Sequence, residues 1–178
     1  MHSEWIFNQI ESLKIKKKIN LLDFASGNGR NCVPLSKKNI IVTAIDKDQE
    51  KLNNYKNLDN INTICFALET KEEWPLVKEY YDVIIVGNYL FRPKIKKLIN
   101  LIKKDGFLFY ETFSLGNEKY GSPSNPNFLI KNRELLDIFG QELSPMSFYD
   151  GQIKGKNVAI KQMGSFKKKG VFEKTPCY

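Results

Sequence analysis

Short apolar runs alternate along the chain with segments in which charged and apolar residues mix. Five of these runs are rich in β-branched and aromatic residues, a composition that predicts strands. Several are apolar at successive positions, which is typical of strands buried on both faces. The predicted strands are Ile19–Ala25, Ile41–Ile45, Ile61–Ala67, Tyr81–Val86 and Phe107–Thr112.

The intervening segments predict helices. In one of them, apolar residues recur at three- and four-residue spacing from Ile95 to Ile102, which gives a single buried face. Strand and helix in regular alternation predict right-handed βαβ units, hence a doubly wound, Rossmann-like α/β sheet that is mostly parallel. The predicted helices are Ser3–Leu13, Asn31–Lys38, Asp48–Leu58, Lys71–Lys78, Pro93–Lys103 and Glu134–Phe139.

The C-terminal part has a different pattern. Between Ser144 and Met163, two apolar stretches around 146–149 and 157–161 are separated by Gly151 and Gly155, which predicts an antiparallel hairpin added to the sheet. No Pro/Gly/Ser-rich linker divides the chain. We therefore expect one domain over residues 1–166 and a basic, flexible tail over residues 167–178.

Composition narrows the functional classes. The chain carries 28 basic and 20 acidic residues, a net charge of +8, but only three of the basic residues are arginine. Because bidentate recognition of phosphates and base edges favours arginine, we expect solvated lysines rather than a nucleic-acid partner. No apolar run approaches the ~20 residues that span a bilayer, and residues 1–10 lack the pattern of a signal peptide, so a cytoplasmic location is expected.

Metal and redox chemistry are not predicted. His2 is the only histidine, and Cys32, Cys65 and Cys177 lie at wide spacings without a CxxC pair. We predict Cys32 and Cys65 to be buried thiols, in a helix and a strand respectively.

The first strand leads into a bend of small residues, Asp23-Phe24-Ala25-Ser26-Gly27-Asn28-Gly29, before a helix begins. Such residues allow a tight turn and a close approach to a ligand. An acid beside this bend would repel a pyrophosphate and suits an ammonium group. Asp46 ends the second strand, where a carboxylate accepts hydrogen bonds from a ribose diol. The alternative for Asp46 is a cap of the next helix.

Residues 22–29 resemble motif I of the class I S-adenosylmethionine-dependent methyltransferases, and 44–46 resemble their acidic second-strand motif. Segments 86–93, 110–113, 116–117 and 123–126 resemble small bacterial methyltransferases related to the tellurite-resistance enzymes. The resemblance implies a seven-stranded sheet with an antiparallel seventh strand. It also implies S-adenosylmethionine as methyl donor.

The resemblance also assigns the cofactor residues. Asp23, Gly27 and Gly29 would surround the methionine part, with Ala25 and Asn28 in the same bend and Asp46 on the ribose. In addition, Lys47 would lie under the adenine, and Leu68 and Glu69 along its edge. Ala67 departs from the family's usual aspartate. Ala25 replaces the first glycine of the motif, a mild change if its φ is negative.

Methyl transfer by in-line displacement requires alignment of the acceptor more than acid–base groups. After the fourth strand, Asn88 would accept a hydrogen bond from a hydroxyl or amine of the methyl acceptor, and Tyr89 would pack beside the methyl group. Arg92 would bind an anionic acceptor. The alternatives are a helix cap for Asn88 and a surface position for Arg92. Glu111 is a base, a holder of an acceptor amine, or a support for a lid over 113–128.

We therefore expect an S-adenosylmethionine-dependent methyltransferase that acts on a small molecule. One alternative is a nicotinamide-dependent oxidoreductase on a similar fold, although the GxGxxG turn is missing. Another is an RNA-directed or non-catalytic methyltransferase-like protein, suggested by the excess of lysine. The acceptor and the oligomeric state stay open.

Overall fold

Seven strands form one mixed sheet in the computed structural model, which describes residues 2–37, 39–154 and 158–169. Strands β1 to β5 are parallel to one another, β7 pairs antiparallel with β5, and β6 pairs antiparallel with β7. The spatial order is β3-β2-β1-β4-β5-β7-β6. The strands are β1 Ile19–Phe24, β2 Ile40–Asp46, β3 Ile61–Cys65, β4 Tyr81–Gly87, β5 Ile102–Phe113, β6 Leu143–Ile153 and β7 Ala159–Lys168.

Five α-helices and three short 3-10 helices connect these strands in the described ranges. The N-terminal prediction is confirmed, because Ser3 caps the first helix by accepting a hydrogen bond from the backbone N–H of Ile6. The helices are α1 Glu4–Ser12, α2 Cys32–Leu35, α3 Gln49–Asn53, α4 Arg92–Ile95 and α5 Glu134–Phe139. The 3-10 helices are Lys96–Leu101, Asn117–Lys119 and Pro126–Phe128.

The predicted helix Lys71–Lys78 is wrong, since these residues form turns and bends. Pro75 removes a backbone donor from the middle of the segment. The Lys94 ammonium donates to the carbonyl oxygens of Thr70 and Glu72, which a helix would need for its own ladder. Other predicted helices are shorter than expected: α2 ends at Leu35, α3 ends at Asn53, and the helix after Pro93 becomes 3-10 before β5 begins at Ile102.

Both faces of the sheet are covered, as the apolar strands predict. On one face, Phe24, Ile84 and Tyr110 pack against the α4 and α5 side. On the other, Val42 and Val83 pack with buried residues of α1, α2 and α3. From β1 the strand order runs to β2 and β3 on one side and to β4 and β5 on the other, so β1 and β4 form the switch point of the sheet. A ligand is expected at this point, beyond the carboxyl ends of the strands.

The C-terminal hairpin is confirmed, with different limits. Gly151 lies inside β6 rather than in the turn, and Gly155 lies outside the described residues. Strand β7 continues to Lys168, so Lys167 and Lys168, which the sequence assigns to the tail, belong to the sheet. Residues 170–178 lie outside the described residues.

Cys32 is buried as predicted, but Cys65 is exposed at the end of β3, and Cys177 lies outside the described residues. Among residues 2–37, 39–154 and 158–169, no helix has the length and apolar character needed to span a membrane.

Candidate active site

The bend after β1 uses three left-handed residues, Ala25 (φ +60°), Gly27 (φ +53°) and Gly29 (φ +70°). The expectation of a negative φ at Ala25 is therefore wrong, and alanine there carries a conformational cost of about 1 kcal/mol relative to glycine. A Cβ on Gly29 would lie 2.8 Å from the Tyr55 ring. The Tyr55 hydroxyl donates to the Gly27 carbonyl oxygen at 3.0 Å and lies 2.9 Å from Ser26 Oγ, so it braces the bend.

Asp46 lies at the tip of β2 beside this bend. Its Oδ2 accepts from the Gly27 N–H at 2.7 Å and its Oδ1 from the Asp48 N–H at 3.0 Å. The cap of α3 is Asp48, which accepts from the Lys51 N–H at 3.1 Å. The alternative of Asp46 as that cap is therefore wrong, and its carboxylate joins the tip of β2 to the glycine bend.

Asp23 is buried under the bend, and its Oδ2 accepts from the backbone N–H of Cys32 at 3.1 Å. Burial raises the pKa of Asp23 to about 7, and the nearby Asp46 charge acts in the same direction, against the lowering effects of the Cys32 hydrogen bonds and Arg30. Within the described part of the chain, neither Asp23 nor Asp46 forms an ion pair.

The residues expected along the adenine lie beyond β2 and β3. Lys47 is exposed, with its Nζ 3.8 Å from a carboxylate oxygen of Glu69. Leu68 is buried, and its carbonyl oxygen accepts from the Trp74 indole N–H at 3.1 Å. Asn28 is exposed on the bend.

The tips of β4 and β5 meet through Asn88 and Glu111, because the Asn88 N–H donates to the Glu111 carbonyl oxygen at 2.8 Å. Asn88 has φ +58°, and its Oδ1 accepts from Lys161 Nζ at 2.8 Å. Helix α4 begins after Phe91, so the alternative of Asn88 as its cap is wrong.

Tyr89 follows with its ring packed edge-on against Phe24, at 5.6 Å between centroids. Its hydroxyl is buried and has no hydrogen-bond partner among the described residues. Burial raises the pKa of this hydroxyl above its usual value, and the carboxylates of Glu69 and Asp46 act in the same direction.

The Glu111 carboxylate is the centre of a buried polar cluster. Its Oε2 accepts from the Ser3 hydroxyl at 2.6 Å, and its Oε1 accepts from Lys161 Nζ at 3.2 Å. A guanidinium nitrogen of Arg30 lies 3.7 Å from the same Oε1 and has no hydrogen-bond partner in the described ranges. Glu111 thus binds the start of α1 and strand β7, not the backbone of the segment that follows β5.

Lys161 is one of the site residues that sequence reasoning missed. It is 7% exposed and pairs with Phe113 across β5 and β7. Its ammonium lies 4.9 Å from the centroid of the Phe113 ring. Burial lowers the pKa of Lys161, although the Glu111 carboxylate opposes that shift. The signal in the sequence was a lysine between Ala159 and Met163 on one strand face.

Arg92 is not free to bind an anionic acceptor. Its guanidinium forms a bidentate pair with the Glu134 carboxylate, at 2.6 and 2.8 Å, and also donates to the carbonyl oxygens of Asn127 and Leu129. The Arg92 side chain therefore fixes the segment after β5 against α5.

Two cavities adjoin these residues. One, of about 390 Å³, is bordered by Glu69, Asn88 and Tyr89, and the other, of about 600 Å³, is bordered by Lys161. Both are lined by Phe113 and Ser122, so they lie side by side at the tips of β4 and β5.

The sequence matches a family model described as "Tellurite resistance protein TehB" over residues 1–108, which is more than half of the chain. The chain belongs to the TehB family. Among curated proteins, none matches this sequence.

Solved structures show the same fold at low sequence identity. TehB from Haemophilus influenzae has 18% identity and a TM-score of 0.70, covering 92% of this chain, which spans only 62% of that protein. A TehB-like S-adenosylmethionine-dependent methyltransferase from Corynebacterium glutamicum has 15% identity and a TM-score of 0.66, covering 90% of this chain and 86% of the other. An S-adenosylmethionine-dependent methyltransferase from Methanosarcina mazei has 13% identity and a TM-score of 0.71, covering 95% of this chain and 99% of the other. This member of the TehB family therefore has the fold of these methyltransferases.

Proposed function

We propose that this protein binds S-adenosylmethionine and transfers its methyl group to a small-molecule acceptor by in-line displacement. The observation that carries the proposal is the arrangement of the glycine bend and Asp46 at the switch point of the sheet, in a chain of the TehB family. The cofactor supplies a methyl group on a sulfonium leaving group, so the protein needs chiefly to bind, orient and exclude water.

The side chains present fit such a cofactor. The left-handed bend allows close approach of a ligand, and the Asp46 carboxylate at its edge suits a ribose diol. Asp23 suits the ammonium of an amino-acid tail, because a nearby cation favours its charged form. A guanidinium nitrogen of Arg30, which lies 3.7 Å from Glu111 and makes no hydrogen bond to the residues that the structure describes, suits the carboxylate of the same tail.

The remaining cofactor contacts are proposed for Ala25, Asn28, Lys47, Leu68 and Glu69. At the acceptor side, Tyr89 and Phe113 present aromatic surface to the cavities and would keep water from the methyl group. The Tyr89 hydroxyl, which has no hydrogen-bond partner in the part of the chain that the structure describes, is available for a hydrogen bond to a ligand. Tellurite, which the family description names, is the first acceptor to assay. The proposal includes a cytoplasmic location, which cell fractionation tests.

The test is calorimetric titration with S-adenosylhomocysteine, the demethylated cofactor. The intact protein should bind it, and Asp46→Asn should weaken binding by about 10- to 100-fold, since charge-assisted hydrogen bonds are worth about 1.5–3 kcal/mol. Asp48→Asn is the matched control, because it removes one negative charge two residues away while keeping a side chain that caps α3.

Parallel titrations with NAD and NADP separate this function from the oxidoreductase alternative. No binding of S-adenosylhomocysteine by the intact protein, or equal losses for Asp46→Asn and Asp48→Asn, would contradict the proposal.

A further inference from the structure

The hydrogen bond between Lys161 Nζ and Asn88 Oδ1, 2.8 Å long, determines which way the Asn88 amide faces. An asparagine amide has an oxygen that accepts and a nitrogen that donates, and the two look alike in shape. A lysine ammonium has three donors and no acceptor. Only the oxygen of Asn88 is therefore suited to face Lys161, and the NH2 group points the other way.

Lys161 is itself held in place by two neighbours on β5. Its ammonium donates to Glu111 Oε1 on β5 at 3.2 Å and lies over the Phe113 ring. The second oxygen of Glu111 accepts from the Ser3 hydroxyl at the start of α1. Lys161 is 7% exposed and Glu111 is 3% exposed, so this arrangement is shielded from water and has little freedom to rearrange.

The Asn88 side chain, in contrast, is exposed and borders the 390 Å³ cavity with Tyr89 and Phe113. Its Nδ2 makes no hydrogen bond to any residue that the structure describes. We propose that Lys161 is a positioning residue that locks Asn88 with its amide N–H groups facing the acceptor cavity. The inference rests on the proposed methyltransferase function of this site.

The consequence reverses the role that the sequence suggested for Asn88. A locked amide donates hydrogen bonds, so it recognises a lone pair on the acceptor molecule and disfavours a protonated amine. The acceptor class that fits is a molecule with a carboxylate, carbonyl or oxyanion oxygen beside the methylated atom, carried on a body that packs against the aromatic rings of Tyr89 and Phe113.

The test uses two aromatic probes of the same size, benzoate and benzylammonium, titrated into protein saturated with S-adenosylhomocysteine. Benzoate should bind at least about tenfold more tightly than benzylammonium, the effect of one charge-assisted hydrogen bond. Asn88→Leu keeps the neutral charge and the branched shape of the side chain but removes the donors, so it should lower benzoate affinity by about tenfold. Lys161→Met should lower it by a similar factor, because it acts through the same amide, and Lys161→Arg, which still donates, should keep it within about threefold of the unmodified protein.

A double-mutant cycle decides whether Lys161 acts through Asn88. If it does, Asn88→Leu should have little further effect in the Lys161→Met protein. The matched control is Lys167→Met on the same strand, where the lysine also contacts a carboxylate (Asp105) and an aromatic ring (Phe107) but lies away from the cavities. Its probe affinities should equal those of the unmodified protein.

Affinity for S-adenosylhomocysteine should be unchanged in Asn88→Leu and Lys167→Met and should remain measurable in the Lys161 variants, which shows that all of them fold and keep the cofactor site. Additive losses in the cycle, an unaffected Asn88→Leu, or no benzoate binding to the loaded protein would each overturn the inference while leaving the proposed function standing. Failure of the unmodified protein to bind S-adenosylhomocysteine would overturn both.

Discussion

Asp23 occupies a place where ionisation is costly, and this gives the protein a pH-dependent stability. Its folded pKa of about 7 exceeds the ordinary value of 3.8, so the folded state holds a proton that the unfolded state releases. Stability should therefore fall as pH rises from about 4 to about 7. Between pH 5 and pH 8 the loss of stability is about 3 kcal/mol. It accumulates over the two pH units from pH 5 to the folded pKa of about 7, and each unit is worth about 1.4 kcal/mol.

Urea unfolding of Asp23→Asn at pH 5 and pH 8 measures this contribution. The amide of the variant does not ionise, so the variant should lack this loss of stability. The difference in unfolding free energy between the variant and the unmodified protein should therefore shift by about 3 kcal/mol in favour of the variant from pH 5 to pH 8. Asp59→Asn, at an exposed position, controls for the loss of one negative charge. Parallel pH profiles for the unmodified protein and Asp23→Asn would show that folding does not raise the pKa of Asp23.

Single positions differ in how much of their role the sequence reveals. Asp46 and the bend could be predicted because a strand end followed by small residues is a local pattern, and they do lie together. Lys161 is marked only by its place between two apolar residues of one strand face. Its burial depends on pairing with Phe113 across β5 and β7, so it does not stand out among the 25 lysines of the sequence. Tyr55 was missed for the same reason: its contact with the bend joins residues 28 positions apart.

Among the elements, strands were predicted better than helices. A strand buried on both faces needs a run of apolar residues, which β1, β2 and β4 display directly. Helix lengths depend on what the ends contact, so α2 and α3 are shorter than their patterns suggest. The segment at 71–78 has the composition of a helix, but tertiary contacts of Trp74 and Lys94 override it.

The segment between β3 and β4 is therefore predicted to depend on Lys94. This lysine is 7% exposed, donates to the carbonyl oxygens of Thr70 and Glu72, and lies 5.1 Å from the centroid of the Trp74 ring. Lys94→Met should lower the free energy of unfolding by about 2–3 kcal/mol, because two part-buried hydrogen bonds lose their charged donor. Amides of residues 68–78 should also exchange faster with deuterium.

Lys97→Met provides the matched control for that change. Lys97 pairs with Glu73 of the same segment at 2.6 Å, but both side chains are well exposed, so its loss should cost no more than about 1 kcal/mol. Equal effects of Lys97→Met and Lys94→Met on stability and exchange would contradict a specific role for Lys94.

At the scale of the whole molecule, Arg92 joins three parts that border the acceptor side. It lies at the start of α4 after β4, binds both carboxylate oxygens of Glu134 on α5, and donates to the carbonyl oxygens of Asn127 and Leu129 in the segment after β5. Phe128 of that segment lines the smaller cavity. The sequence suggested an anion-binding Arg92, but the structure uses its planar fork to fix the wall of the cavity.

Arg92→Lys should therefore loosen this wall without affecting the cofactor site. A lysine cannot form the bidentate pair or reach all the carbonyls at once, so we expect a stability loss of about 1–2 kcal/mol and faster hydrogen exchange in residues 114–130. Affinity for S-adenosylhomocysteine should stay unchanged, because Arg92 touches neither the bend nor Asp46. Arg133→Lys is the matched control: Arg133 is exposed, and its side chain forms no ion pair within the described ranges. If exchange in residues 114–130 is the same in both variants and in the unmodified protein, Arg92 does not hold this segment, and contacts such as the Ser114–Ile130 bridge and those of the buried Asn117 hold the cavity wall without it.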